Sequence, residues 1–402
     1  MDFTYCKLRD ILISIHSGGT PSTTIKEYWG GPYKWLSSGE TGQRFISDTV
    51  DTITERGINE SSTKLAKRGS VVMACAGQGK TRGQTSYLLD DMYVNQSVIV
   101  LNTNRKIVLP LYLFYDLTGR YEELRGGSDA SSTRGSITTT SLKTLAFRYP
   151  AIREQEKIVS ILYAYDNLIE VNNKRIKVLE QMAENLYKEW FVRFRFPGHE
   201  TAEFENGIPE GWAYRRADEV IDFNPTLKTG NQTEFTIIPM EALSTNSMVL
   251  DSGCFVRQDS ISGRRSQNGD TLLAKITPCL ENGKTGFVMC MPENEVLGGS
   301  TEFVVMRSKA LTPHYVYCIA RSYYFRQTAI LSMNGADGRQ RVDEDKLKST
   351  KILQPEKTVL DHFETIVTPI FDGVYQMVQE NKNLIQQRDL LLPRLMSGKL
   401  EV

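Results

Sequence analysis

The sequence predicts an α+β protein in which one plan is used twice: two similar β-rich globular domains that also carry helices, separated by two long helices, in a pseudo-twofold internal repeat. Three observations predict this. Two long stretches carry heptad-spaced apolar residues. The segments that precede them match each other at a constant separation. The remainder is broken into short β-type runs bounded by glycine and polar turns. The division that follows is 1–150, 151–196, 197–355 and 356–402.

In the first domain, Val71-Val72-Met73 reads as a strand, and "ACAGQGKT" (74–81) follows it. That stretch is one residue from a nucleotide-binding loop, with Ala74 where the first glycine belongs. A phosphate loop must open a helix whose N-terminal amides hold the phosphates. Here "RGQTSYLLDDMYVNQSVIVL" follows, with Gly83, β-type residues and a second apolar run at 98–101, so the stretch reads as strand, turn, strand. The triplet recurs as Gly283-Lys284-Thr285, where Pro278 stands five residues ahead of the glycine, a residue that a phosphate loop would not carry. The reading is therefore a pair of tight turns that present a lysine and a hydroxyl.

Residues 151–196 contain neither Gly nor Pro. One row of the predicted seam is Ile158, Tyr165, Asn172, Leu179 and Leu186; the other is Ile161, Leu168, Arg175, Met182 and Glu189. In 357–396 the corresponding rows are Val367, Val374, Asn381, Arg388, Leu395 and Phe363, Ile370, Met377, Leu384, Leu391. Each helix has an asparagine in mid-seam, Asn172 and Asn381, a placement that weakens a helix pair but specifies its register. Pro369 and Gly373 predict a kink or a late start in the second helix. Ahead of the helices, "SITTTSLKTLAFRYP" (136–150) aligns with "RVDEDKLKSTKILQP" (341–355), with Leu142-Lys143 on Leu347-Lys348 and Pro150 on Pro355. A separation of 205 residues is far too long for a solenoid and indicates duplication.

Composition excludes several classes. A chain of 402 residues suggests two or three domains. No apolar run reaches the roughly 18 residues of a membrane span, and the start lacks a secretory signal pattern. The six scattered cysteines (6, 75, 254, 279, 290, 318) read as reduced thiols, and the four histidines are too dispersed for a metal site. Net charge is zero, yet 61–89 holds five cations and no acid, and 303–342 holds six arginines and lysines against Asp337. Local basic faces are expected on a neutral chain. No nucleophile elbow or zinc spacing is present. Asp222-Phe223-Asn224-Pro225-Thr226 lacks the second proline and the aromatic of an amino-methyltransferase motif, and Glu344-Asp345-Lys346 imitates a nuclease motif poorly.

Five stretches then carry a resemblance: "SGGTPSTTIKEYWGGPYKWLSSGE" (17–40), "YPAIREQEKIVSIL" (149–162), "NNKRIKVLEQMAENLYKEWF" (172–191), "IPEGW" (208–212) and "RDLLLPRLMSGKLEV" (388–402). Together they resemble the specificity (S) subunits of type I restriction–modification enzymes over almost the whole chain. The second domain departs from the pattern: it has "FNPTLKTG" and "FTIIPMEAL" where the first has its Gly-Gly-Thr-Pro-Ser and Tyr-Trp-Gly-Gly runs.

The resemblance implies two target-recognition domains, each reading half of a gapped asymmetric DNA site, with the two helices antiparallel as a ruler between them. It implies no catalysis and no cofactor in this chain. S-adenosylmethionine, ATP and Mg²⁺ are expected in partner subunits. The implied partners are double-stranded DNA, two methyltransferase (M) subunits and restriction (R) subunits joined through them, in the cytoplasm of a prokaryote, with no membrane. Base reading is expected of Lys80, Arg82, Gln84 and Arg134 in the first domain and of Arg264, Arg265, Lys284, Arg339 and Arg341 in the second. Trp190 and Phe191 are expected to pack on a methyltransferase subunit or on the helix pair, and Trp35 and Trp212 in cores. The alternatives are a coiled-coil adaptor without a nucleic-acid role and a silent specificity cassette.

Overall fold

The computed structural model describes residues 1–77, 79–129, 135–292, 294–336 and 338–402. The chain forms two compact units, Met1–Ile169 with Asn383–Val402, and Glu170–Lys382. Each long helix therefore contributes to both.

The first unit is built on a five-stranded sheet in the order Leu12–Ser17, Val98–Thr103, Val71–Ala74, Thr85–Leu88, Phe45–Ile46. Val71–Ala74 is apolar at every position because both faces of the sheet are covered. The two-residue period divides it: Val71 and Met73 join Ile99, Leu101 and the helix Pro110–Gly119 in one core, while Val72 joins Leu36, Val94 and Val100 in another. Each such aliphatic side chain stabilises by about 1.5–3 kcal/mol when fully buried. A four-stranded sheet contains Trp29–Leu36, and Trp35 is buried there with its indole N–H on the Gly19 carbonyl at 3.3 Å.

The second unit repeats the plan. Its main sheet runs Ile221–Phe223, Phe303–Ser308, Thr271–Ala274, Thr285–Phe287, the order of the first four strands above. Leu273, Val304 and Met306 pack to one side; Leu272, Val305 and Phe303 pack to the other. In both units a short antiparallel ribbon closes the domain, Thr4–Lys7 with Ala146–Tyr149 and Ala213–Arg216 with Lys351–Gln354. Leu142 and Leu347 are both buried, on the helices Thr139–Thr144 and Glu344–Ser349. The duplication inferred from their spacing is therefore structural.

Strand register corrects one part of that alignment. Val71 pairs with Tyr87 and Met73 with Thr85; Thr271 pairs with Phe287 and Leu273 with Thr285. The counterpart of Gly283-Lys284-Thr285 is thus Gly83-Gln84-Thr85, not Gly79-Lys80-Thr81. Both threonines donate to the carbonyl of their own glycine at 3.3 Å, and both glycines have positive φ, 88° and 81°. The repeated Gly-Lys-Thr is a coincidence of composition.

The long helices are Ile152–Tyr187, of 36 residues and continued by a π-helical turn at Lys188–Val192, and Lys357–Met396, of 40 residues. The second starts early and runs through Pro369 and Gly373, against the late start that those residues predicted. Within each unit the two helices lie antiparallel. In the second, Asn172 Nδ2 donates to Asn381 Oδ1 at 3.0 Å and Asn381 Nδ2 donates to Asn173 Oδ1 at 2.9 Å. In the first, Asp166 meets Arg388, and Ile158 and Leu162 share a core with Leu392 and Leu395. The seam row from Ile158 to Leu186 is buried or half-buried as expected. Its companion, however, is Leu162, Ile169, Ile176, Ala183 and Trp190, one residue on from the expected row. Leu168 and Met182 face outwards, at 37% and 50% exposure, and so does Arg175.

Candidate nucleic-acid interface

The loops that carry the expected reading residues lie in pairs. In the first unit, the hairpin loop of residues 75–84 joins the antiparallel strands Val71–Ala74 and Thr85–Leu88. No helix opens from it, which disposes of a phosphate loop. The chain arriving from helix Tyr121–Asp129 runs beside it, with Ile137 N–H on the Cys75 carbonyl at 2.9 Å. In the second unit, the loop of residues 275–284 lies in the same way against residues 333–342: Thr277 N–H donates to Gln340 O at 3.1 Å and Val342 N–H to Lys275 O at 2.9 Å. Residues more than 60 positions apart in sequence thus form one surface in each unit.

The individual side chains divide into several environments. Lys80 is exposed at the first hairpin. Gln84 is half-buried and, with Lys80, Tyr121, Arg120 and Arg148, lines a cleft of about 870 Å³ that the end of the C-terminal helix completes through Arg388 and Leu392. Arg82 is buried and donates to the Gly135 carbonyl at 2.8 Å, so it ties the two loops together from inside. Arg134 lies outside the described residues. In the second unit, Arg339 is exposed on its loop. Arg341 forks onto both oxygens of Glu302 at 2.7–3.1 Å, and holds that carboxyl below the usual carboxylate range. Lys284 Nζ donates to Met240 O at 3.1 Å, and Arg265 donates to Leu227 O.

Arg264 belongs to a network that the sequence did not reveal. Glu344 accepts from Arg264 Nη2 and Lys275 Nζ, both at 2.9 Å, and from Asn224 Nδ2 at 2.8 Å. Asn224 in turn accepts from Val305 N–H at 3.0 Å. The Asn-Pro and Glu-Asp-Lys stretches, met in the sequence as imitations of catalytic motifs, therefore hold the sheet to the basic loops. Asp345 is turned to Lys348 at 3.1 Å instead. Charge-assisted bonds of this kind fix cation placement, and no signal in the linear sequence links positions 224, 264, 275 and 344.

In the first unit's cleft, burial first of all pushes the Asp116 carboxyl up to about 6, and Arg120, at 3.5 Å, opposes that only in part. Arg120 itself forks onto Glu123 with two 2.8 Å bonds.

Trp190 and Phe191 pack on the helix pair, against Phe363 of the second long helix, which corrects their assignment to a partner surface. They are 5% and 4% exposed, and they pack with Phe363, Tyr315 and Trp212 in the core of the second unit. With the inward row at 162, 169, 176, 183 and 190, Trp190 falls on the buried stripe. Trp212 is buried, as expected. Among the described residues, no three His, Cys, Asp or Glu side chains gather as metal ligands, and no helix is long and apolar enough to cross a membrane.

Two domains of repeated topology, each presenting paired loops with basic side chains and each tied to a long helix, define a two-site recognition scaffold. Comparison with known proteins then shows what the chain is similar to. Residues 1–181 match the Type I restriction modification DNA specificity domain. The type I restriction enzyme MjaIX specificity subunit of Methanocaldococcus jannaschii is 24% identical, over all of this chain and 94% of that protein. The EcoR124I/EcoR124II specificity subunit of Escherichia coli is 28% identical over 46% of this chain and 47% of its own length. In fold, the chain is similar to the crystal structure of a type I restriction–modification system S subunit from M. genitalium, with a TM-score of 0.61 and 13% identity over 98% of this chain and 96% of that one. On these matches the chain is similar, along its whole length, to type I restriction–modification specificity subunits, and the family's DNA specificity domain is matched over residues 1–181.

Proposed function

We propose that this chain is the DNA sequence-specificity subunit of a type I restriction–modification complex. Each recognition domain reads one half of a gapped, asymmetric site. The long helices set the spacer and dock two methyltransferase subunits, through which restriction subunits join. The chain itself is non-catalytic. S-adenosylmethionine, ATP and Mg²⁺ are held by the partners, and the complex works in the prokaryotic cytoplasm.

The observation that carries this reading is the duplication. The same strand order recurs in both units, while the paired loops carry different side chains at equivalent places: Gln84 where the other has Lys284, and Lys80 where the other has buried Leu280. Equal scaffolds with unequal reading loops suit two unequal half-sites. Gln pairs best with adenine edges and Lys with guanine edges in the major groove. A helix of 40 residues rises about 60 Å at 1.5 Å per residue, against roughly 34 Å for one turn of B-DNA, enough to separate two groove contacts. A neutral chain is consistent with partners that supply part of the phosphate contact.

The test is co-expression with its cognate methyltransferase subunit, followed by mapping of methylated adenines in host DNA. A two-part gapped motif that vanishes when this chain is deleted is expected. Exchange of residues 1–150 for those of another specificity subunit should change one half only. Absence of any motif, together with no methyltransferase binding, overturns the proposal.

A further inference from the structure

Each hairpin is gripped at its tip by a helix that packs behind it, and the two grips differ in chemistry. In the first unit, Tyr121 begins the helix Tyr121–Asp129. Its phenol donates to the Lys80 carbonyl at 2.8 Å and accepts from Arg125 Nη1 at 2.8 Å. Its ring also covers the turn glycine: a Cβ on Gly83 would stand 3.4 Å from it. In the second unit, Arg326, on helix Tyr323–Leu331, donates to the Glu281 carbonyl at 3.3 Å, and its Nη2 would stand 2.9 Å from a Cβ on Gly283. Arg321 adds bonds to the carbonyls of Gly283 and Thr245, both at 3.1 Å.

We propose that Tyr121 and Arg326 are positioning residues, each of which holds the hairpin of its own domain in the pose that reads one half-site, without touching a base. This rests on the recognition reading above. The strands fix only the feet of each hairpin: Ala74 N–H bonds Gln84 O and Gly83 N–H bonds Ala74 O, and Ala274 N–H bonds Lys284 O. Gln84 and Lys284 stand at those feet, so the tip backbone at Lys80 and Glu281 needs a second anchor if each loop is to meet a base edge without first losing conformational freedom. A carbonyl tied to a neighbouring helix is such an anchor. Because the two anchors are separate, each governs one half-site alone.

The experiment uses the complex with methyltransferase subunits. The substrates are duplexes that carry the mapped site with one base pair substituted in either half. Discrimination is the ratio of kcat/KM for the intact site over the substituted one. Tyr121→Phe keeps the ring on Gly83 and removes only the hydroxyl. Two hydrogen bonds go with it, but the Arg125 bond lies within the helix; the bond to the Lys80 carbonyl alone reaches the hairpin, and its loss of about 1 kcal/mol predicts roughly a fivefold fall in discrimination. The fall is expected only in the half assigned to residues 1–150, with a melting temperature within about 4 °C of wild type. Arg326→Gln should lower discrimination only in the other half. Wild-type ratios in both halves for Tyr121→Phe, or equal falls in both, overturn this inference while the two-part motif of the unaltered complex still upholds the recognition reading. An unaltered complex with no two-part motif overturns both.

Discussion

Removal of the Asp166 carboxylate is the most demanding test of how the first unit is held together. Asp166 is on the central helix, and its side chain is 2% exposed. It accepts from Arg388 Nη1 at 2.6 Å, from Arg44 Nη2 at 3.2 Å and from the Tyr115 hydroxyl at 2.8 Å, and Arg44 Nε stands 3.0 Å away as an ion pair without hydrogen-bond alignment. One carboxylate thereby joins the central helix, the C-terminal helix and the recognition domain. Asp166→Ala strands two guanidinium groups and a buried hydroxyl. Breaking a buried pair from one side typically costs 3–5 kcal/mol, because the remaining charge is left uncompensated. Two features moderate the loss here. Arg388 keeps Asp389 at 2.8 Å, and Arg44 keeps its place over the Phe114 and Tyr115 rings, 5.0 and 5.8 Å from their centroids. The lower end, about 3 kcal/mol, is therefore expected. Asp166→Asn keeps an acceptor for Tyr115 and should lose about 2 kcal/mol. Urea titration followed by far-UV circular dichroism measures both. An Asp166→Ala variant within about 1 kcal/mol of wild type, the range of an exposed pair, would refute the argument that this node is a buried junction.

Gln155 is fully buried, accepts from Leu109 N–H and donates to the carbonyls of Ile107 and Pro150, all at 2.9 Å; Gln155→Leu should cost about 2–4 kcal/mol in the same titration, since it leaves buried backbone groups unpaired. Asp116 titrates at about 6 in the fold against roughly 4 in an open chain. The folded state thus binds the extra proton between those values, stability falls as pH rises through that window, and the penalty is complete above about 6. Asp116→Asn should flatten that fall, which urea midpoints at pH 4 and pH 7 would reveal. Trp190→Ala should destabilise by about 3–5 kcal/mol as a core truncation, whereas Met182→Ala, on the outer face, should stay within about 0.5 kcal/mol; equal effects would return Trp190 to the surface.

Much of the architecture is legible in the sequence. Absence of Gly and Pro over 151–196, with apolar residues at heptad spacing, is enough to specify a long helix, because backbone hydrogen bonding and one buried stripe are local requirements. The mid-seam positions of Asn172 and Asn381 were legible for the same reason, and they meet. So was the duplication, since Leu142 and Leu347 fill equivalent buried places. The loops that carry the candidate site could be located, because turn residues announce themselves.

The tertiary structure decided what local rules leave degenerate. Rows three and four residues beyond a seam position flank it almost equally, so only the partner helix selects between Leu168 and Ile169, or between Met182 and Ala183. That choice took Trp190 and Phe191 into a core. Hairpin equivalence is set by cross-strand register, not by identity of letters, and it moved the counterpart of Lys284 from Lys80 to Gln84. The fate of each arginine was likewise open. Arg82 turned inward to a carbonyl, Arg264 and Arg341 met carboxylates, and Arg339 stayed in solvent. A guanidinium finds its partners by proximity in space, and residues 224, 264, 275 and 344 become neighbours only when the sheet has formed.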